Sequence, residues 1–447
     1  MAETDDRPVA GIPVAGSWRL TDDVLTIRSP YSGKVVAEVA GAGPQDIRDA
    51  LAAAASSFDA TRRTSGEDRA RVLETVSRRI AEERETMART ITLQAGKTIR
   101  AARAEADWSS AAFAAAAAEA LAPIADRTPL GPVVAIAALG APLASAAVKL
   151  AAAIAAGSAI VLQPPGDAPT PALQLAWLIR DAGWPAEAVS IVTATDEDVL
   201  AALSDERVRA ITFTGSAAAG HRIGPAAPNA RVTLEPGGTV DVIVHDDADL
   251  DHAADRVVVG AFEFEGQSGL AVRRVHVARG AWDRFTDLLM DRLEALELGD
   301  PGQEETHLGP MIDRESADRA EALVRDAVAA GATTLFPAGR EKNVVGTTVL
   351  CDARIDMAIC RVDAVGPMVC LWPYDDLSVA IRAVGEAASG LAVGVFSRDV
   401  GRIAGTLAAL DGARLVVNEV PAWWADRGLD HVTDALHAEL AAITRTP

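Results

Sequence analysis

Apolar residues in the middle of this chain fall in short blocks separated by alanine-rich stretches of helical character. Pro132-Val-Val-Ala-Ile-Ala-Ala reads as a buried strand, Pro142 as the first residue of a helix and Gly157 as its C-terminal stop; Ala159-Ile-Val-Leu reads as the next strand. Gly140, Pro142, Lys149 and Gly157 interrupt the apolar run from Val133 to Leu162, so a soluble strand-helix-strand unit explains it better than a membrane span. Such a unit is a right-handed parallel crossover. The alternation continues with a helix from Pro171 to about Ala182 closed by Gly183, then the strand Val189-Ser-Ile-Val-Thr. A short acidic helix precedes the strand Ala210-Ile-Thr-Phe-Thr, and a further helix leads to Arg231-Val-Thr-Leu. This periodicity predicts a doubly wound α/β domain of dinucleotide-binding type. Long amphipathic helices from Asp46 to Ala122 come before it, and a second alternating region from Val240 to Val417 follows.

A chain of 447 residues, half of them apolar, is too long for one small core and predicts two or three lobes. The net charge of −21 disfavours nucleic acid or an anionic membrane as partner, because either would repel it. Cys351, Cys360 and Cys370 are odd in number and lack metal-ligand spacing, which fits a reducing cytoplasm. The N-terminal residues show no basic region followed by an apolar one, so no signal peptide is expected. The histidines are scattered singly, and His431 and His437 miss the i, i+4 spacing that would set two imidazoles on one helical face. No metal site is expected.

Short motifs then recur in a fixed order: Leu93-Gln-Ala-Gly-Lys97, Gly131-Pro-Val-Val-Ala-Ile-Ala, Phe213-Thr-Gly-Ser216 with Gly220, and Leu234-Glu-Pro-Gly-Gly238. Asp246-Asp-Ala-Asp-Leu-Asp251, Phe262-Glu-Phe-Glu-Gly-Gln-Ser-Gly269, Leu308-Gly-Pro-Met311, Gly366-Pro367, Gly390-Leu391 and Val417-Asn418 complete the series. In this order the motifs resemble the aldehyde dehydrogenase superfamily over nearly the whole chain. The resemblance implies an α/β aldehyde dehydrogenase-like fold: a Rossmann-type domain over 1–122 and 136–238, and a second, catalytic-type α/β domain over 239–417. Oligomerisation and bridging segments, including a small β ribbon, are expected over 123–135 and 418–447.

Carried over residue by residue, the chemistry departs from the family. In the motif F-x-N-x-G-Q-x-C, Phe262, Gly266 and Gln267 remain, Phe264 takes the asparagine position, and Gly269 stands where the resemblance places the nucleophilic cysteine. Without that thiol no covalent adduct forms to expel hydride. Ser268 is a poor substitute, since adjacent residues point in different directions and a serine needs a base within hydrogen-bond reach. The loop matching P-W-N-F-P is Ala138-Leu-Gly-Ala-Pro142, so Gly140 replaces the oxyanion asparagine; losing one such donor lowers rates about a hundred- to a thousand-fold. Glu235 matches the family's general base, with Pro236 beside it. Glu263 and Glu265 flank the nucleophile position, and strand alternation predicts that both face outward while Phe264 takes the other face.

On the cofactor side, K-P-S-E becomes Gln163-Pro-Pro-Gly166, and the acidic nicotinamide-ribose ligand becomes Asp363. Gly215, Ser216 and Gly220 retain a glycine-rich turn able to cradle a phosphate with backbone amides, or simply to join strand to helix tightly. With the ribose-binding pair lost, the expectation is that no cofactor is retained, weak NAD or NADP binding being the alternative. The tail departs as well: Trp423 and Trp424 replace the expected loop, and a helix-like segment runs from His431 to Ala442. A homodimer through a ribbon near Ala125 to Leu130 is expected, or a hetero-oligomer with another pathway protein. The expected activity is binding of a small-molecule ligand and non-redox acid–base chemistry in a specialised bacterial pathway. A non-catalytic pseudoenzyme partner and a residual NAD(P)-dependent oxidoreductase are the alternatives.

Overall fold

The computed structural model describes residues 9–122, 127–238, 240–337, 339–361, 364–386, 392–410, 414–421 and 430–445. The chain forms two compact units: 1–95 with 102–236 and 426–447, and 96–101 with 237–425.

The first unit is built on a parallel five-stranded sheet in the order Arg231–Pro236, Ala210–Gly215, Val133–Ile136, Ile160–Gln163, Val189–Ile191. Chain order therefore reverses between Val133–Ile136 and Ala210–Gly215. In open α/β sheets the crevice beyond the carboxyl ends of such a strand pair is where ligands bind. Here those ends lead into the 137–141 loop and the Gly215-Ser216 turn. The helix Pro142–Ala156 begins at the predicted proline and stops at Gly157, whose φ of 76° is left-handed. It is buried along almost its whole length, and its alanines let sheet and helices approach closely. Of this helix's residues only Lys149 is charged. The segment 430–443 is a helix in this unit, and Thr444–Arg445 pairs antiparallel with Thr128–Pro129. The rest of the ribbon expected near Ala125, together with Trp423, Trp424 and Asp363, lies outside the described residues.

The second unit carries a seven-stranded sheet in the order Thr333–Phe336, Thr348–Cys351, Met368–Tyr374, Val272–Ala278, Val240–Val244, Ala392–Phe396, Arg414–Val417. All pairs are parallel except the first. One face packs Val242, Val244, Val275, Val277 and Leu371 against Phe262, Phe285 and Leu289. The other carries a separate cluster around Met311, Leu350, Met357, Met368 and Cys370. No helix among the described residues is long and apolar enough to cross a membrane.

Candidate active site

Glu235 lies on the edge strand of the first unit, in direct register with Thr214 on the neighbouring strand. The Thr214 hydroxyl donates to Glu235 Oε2 at 3.0 Å. Strand alternation puts Thr212 on the same face as Thr214, and the Lys149 ammonium donates to Thr212 Oγ1 at 3.3 Å and to Glu439 Oε1. Lys149 and Glu439 are both buried, and each tolerates burial because the other neutralises it. Burial pushes the Glu235 carboxyl above the ordinary glutamate value; the Lys149 charge and the Thr214 hydrogen bond pull it back, while Glu439 pushes it further up. Glu235 is thus a half-buried acid inside a small charge network. Sequence reasoning named Glu235 and missed this network, because Lys149 and Glu439 stand 290 positions apart. The readable signal was a lone lysine in an otherwise apolar helix.

Gly140 lies half-buried in the loop before the Pro142–Ala156 helix. Ala138 N–H donates to Ser145 Oγ at 3.1 Å, and the buried Glu105 carboxylate accepts from Leu143 and Ala144 N–H at 2.9 and 3.1 Å. A resident carboxylate therefore already satisfies first-turn donors of this helix. Gln163 donates its side-chain amide to Ala194 O and to Asp196 Oδ1, at 3.2 and 2.9 Å, so this amide is committed within the protein. Ser216 caps the following helix, its hydroxyl accepting from Ala219 N–H at 3.2 Å. A Cβ at Gly215 would meet the Phe213 ring at 2.5 Å and force it to move, whereas one at Gly220 would meet it at 3.3 Å and need a shift of a few tenths of an ångström. The exposed helix start at Ser216 still offers backbone amides to a phosphate at the switch point, and a Cβ at Gly166 would meet open space. The phosphate part of a dinucleotide fits these residues.

In the second unit Gly269 is exposed, and its carbonyl accepts from Gly238 N–H at 2.9 Å. Ser268 Oγ accepts from Leu270 N–H at 3.2 Å. Gln267 is a tether: its Oε1 accepts from Ile312 N–H at 2.8 Å, and its amide donates to Phe264 O and Glu265 Oε2, both at 3.4 Å. The segment before it is a turn of 3-10 type rather than a strand, with Phe264, Glu265 and Gly266 all at positive φ (50°, 53° and 62°). This overturns the expectation that Glu265 faces outward, because strand alternation does not apply in such a turn. Glu265 is fully buried, accepts from Gly309 N–H at 2.5 Å, and is pushed up by burial to about 8. Its neighbours include Lys97, whose ammonium sits 5.0 Å from the Phe264 ring centroid. A left-handed phenylalanine costs roughly 1–3 kcal/mol of backbone strain, offset here by burial of its ring and the cation above it.

Two α/β units, the first with its strand-order switch point and with Glu235 on its edge strand, define a protein of dinucleotide-dehydrogenase architecture. The aldehyde dehydrogenase family model matches residues 18–427, and the chain belongs to that family. An aldehyde-dehydrogenase-like protein of Sinorhizobium fredii is 32% identical over 394 residues, 84% of this chain and 77% of that one. The 3-sulfolactaldehyde dehydrogenase of Priestia megaterium is 30% identical over 93% of this chain and 91% of its own length. Among solved structures, an NAD-dependent aldehyde dehydrogenase from Sinorhizobium meliloti superposes with a TM-score of 0.87 at 29% identity, covering 93% of this chain and 88% of that one. The NADP-dependent glyceraldehyde-3-phosphate dehydrogenase of Bacillus halodurans, complexed with NADP, does so with a TM-score of 0.92 at 25% identity, covering 99% and 98%. These neighbours overturn the expectation that no cofactor is retained, and point to NAD or NADP binding. The lost side chains lie at the ribose edge, whereas the backbone amides at the start of the Ala217–Ala226 helix remain.

Proposed function

We propose that this chain binds NAD or NADP together with a small acidic aldehyde, and that Glu235 moves protons on the carbonyl compound without a covalent acyl-thiol intermediate. The observation that carries this reading is the Glu235 carboxyl itself, raised by burial and held by Thr214 beside the Lys149–Glu439 pair. A carboxyl tuned upward shifts toward the operating pH, where it can take a proton and return it. Relatives named for succinate semialdehyde and 3-sulfolactaldehyde support the substrate class. Gly269, at the position of the family nucleophile, supplies no attacking atom. The amides at the start of the Ala217–Ala226 helix would hold the dinucleotide's phosphates, and without a thiol adduct at position 269 the hydride acceptor it carries would go unused. Glu235 abstracts a proton from water or from the carbon next to the carbonyl, and Thr214 orients the carboxylate. A homodimer through the Thr128–Pro129 region belongs to the same proposal.

Calorimetric titration with NAD and NADP tests the first half, with micromolar to submillimolar binding of one of them expected. Proton NMR of succinate semialdehyde in D2O tests the second half. Deuterium should enter next to the carbonyl in the native protein and not in Glu235→Gln, without a rise in reduced dinucleotide absorbance. No binding at millimolar dinucleotide refutes the cofactor assignment, and sustained reduction of NAD or NADP refutes the non-redox chemistry.

A further inference from the structure

The strands Ile160–Gln163 and Val189–Ile191 are parallel neighbours, so the loops leaving their carboxyl ends lie side by side on the edge of the sheet that carries the switch point. Gln163 ends the first strand and is buried; its amide donates to Asp196 Oδ1 at 2.9 Å and to Ala194 O at 3.2 Å. Asp196 opens the helix Asp196–Ala202 and is exposed. One of its carboxylate oxygens is therefore fixed by Gln163, while Oδ2 has no hydrogen-bond partner among the described residues. A Cβ at Gly166 would meet nothing within 4 Å, so this edge is open beside Asp196's tether.

The charge on this edge has one sign. The loops 164–169 and 192–198 carry Asp167, Asp196, Glu197 and Asp198 and no lysine or arginine. Arg222, on the Ala217–Ala226 helix, is already paired with Glu197 at 3.3 Å.

We propose that Asp196 selects NAD over NADP, its Oδ2 accepting from the 2′-hydroxyl of the adenosine ribose. The proposal rests on the reading that a dinucleotide lays its phosphates on the start of the Ala217–Ala226 helix. That helix follows the strand Ala210–Gly215, and Gln163 ends the strand two places along the sheet, roughly 10 Å away at ordinary strand spacing. The acid absent from position 166 is thus supplied by the loop of the next strand. A carboxylate at the ribose edge suits a hydroxyl, whereas a 2′-phosphate there calls for an arginine. The phosphate of NADP would bring nearly two negative charges among these acids, within about one Debye length, where salt screens the repulsion only in part.

Calorimetric titration of the full chain with NAD, NADP and NAD lacking the adenosine 2′-hydroxyl tests the assignment by binding alone. NAD should bind at least about tenfold tighter than NADP, the gap narrowing as salt rises. Removal of the 2′-hydroxyl should weaken binding to the native chain about ten- to a hundredfold, the range of one hydrogen bond to a charged group. In Asp196→Asn, which still offers an oxygen to the Gln163 amide, the same removal should cost about threefold or less, and NADP should gain on NAD. Equal or tighter binding of NADP by the native chain, or an unchanged 2′-hydroxyl effect in Asp196→Asn, overturns the assignment and leaves the cofactor reading standing. No binding of any of the three at millimolar concentration overturns both. The three ligands on the native chain decide on their own if the variant does not fold.

Discussion

The hydroxyl of Thr214 donates to Glu235 Oε2 at 3.0 Å, across a parallel register in which the two residues are direct partners. This bond fixes the carboxylate on a strand edge while the Lys149–Glu439 pair sets the local charge. Replacing Glu235 by glutamine keeps an acceptor for Thr214 and removes the titrating proton. Deuterium incorporation should fall about a hundred- to ten-thousand-fold, the range of general-base contributions, with the thermal midpoint little changed. In the native protein the base form appears only above a pKa raised from 4.5, so exchange should rise with pH through a midpoint above that value.

Lys149 and Glu439 bear on that midpoint with opposite signs. The Lys149 charge lowers the Glu235 pKa and the Glu439 charge raises it. Lys149→Met should therefore move the exchange profile to higher pH, and Glu439→Gln to lower pH. Each single change breaks a buried pair and should destabilise the chain by roughly 3–5 kcal/mol in urea unfolding, whereas Lys149→Met with Glu439→Gln should recover most of the loss. Additive losses in the double variant would show that the pair is not coupled.

Glu265 gives a pH dependence of stability. Its folded value, about 8, lies above the unfolded 4.5, so the folded chain binds the extra proton between those limits. Stability from this group is full below about pH 4.5 and is lost as pH rises to about 8. Glu265→Gln, which still offers an oxygen to Gly309 N–H, should flatten the thermal midpoint against pH across that window. Glu265→Ala leaves the Gly309 donor unsatisfied and should cost about 1–3 kcal/mol below about pH 4.5, a cost that shrinks as pH rises toward about 8 because the native chain loses the Glu265 contribution there.

A cysteine can be placed at position 269. The Cβ would lie 3.1 Å from Gly237 Cα, close enough to need a shift of a few tenths of an ångström and no more. Gly269→Cys should fold and alkylate readily with iodoacetamide at this exposed position. It should not oxidise aldehydes with NAD or NADP, because position 140 still carries no side-chain donor and the Gln163 amide remains bonded to Asp196. Turnover in this single variant, read as reduced dinucleotide, would overturn that account.

Local signals in the sequence determined much of this protein. The proline at 142 and the glycine at 157 bound a helix because one residue lacks an amide hydrogen and the other accepts a left-handed φ; the helix observed is Pro142–Ala156. Ordered motifs identified the family, and the empty position at Gly269 was legible as a missing atom. Tertiary structure decided the rest. Only the strand order placed a switch point between Val133–Ile136 and Ala210–Gly215, since hydrophobic period reports which face is buried and not which strand lies beside it. Only the fold joined Lys149 to Glu439, because the partner of a buried charge is set by proximity in space and not by separation along the sequence. The turn at Phe264–Gly266 inverted the reading of Glu265: alternation of faces is a property of extended backbone, and three successive left-handed residues remove it.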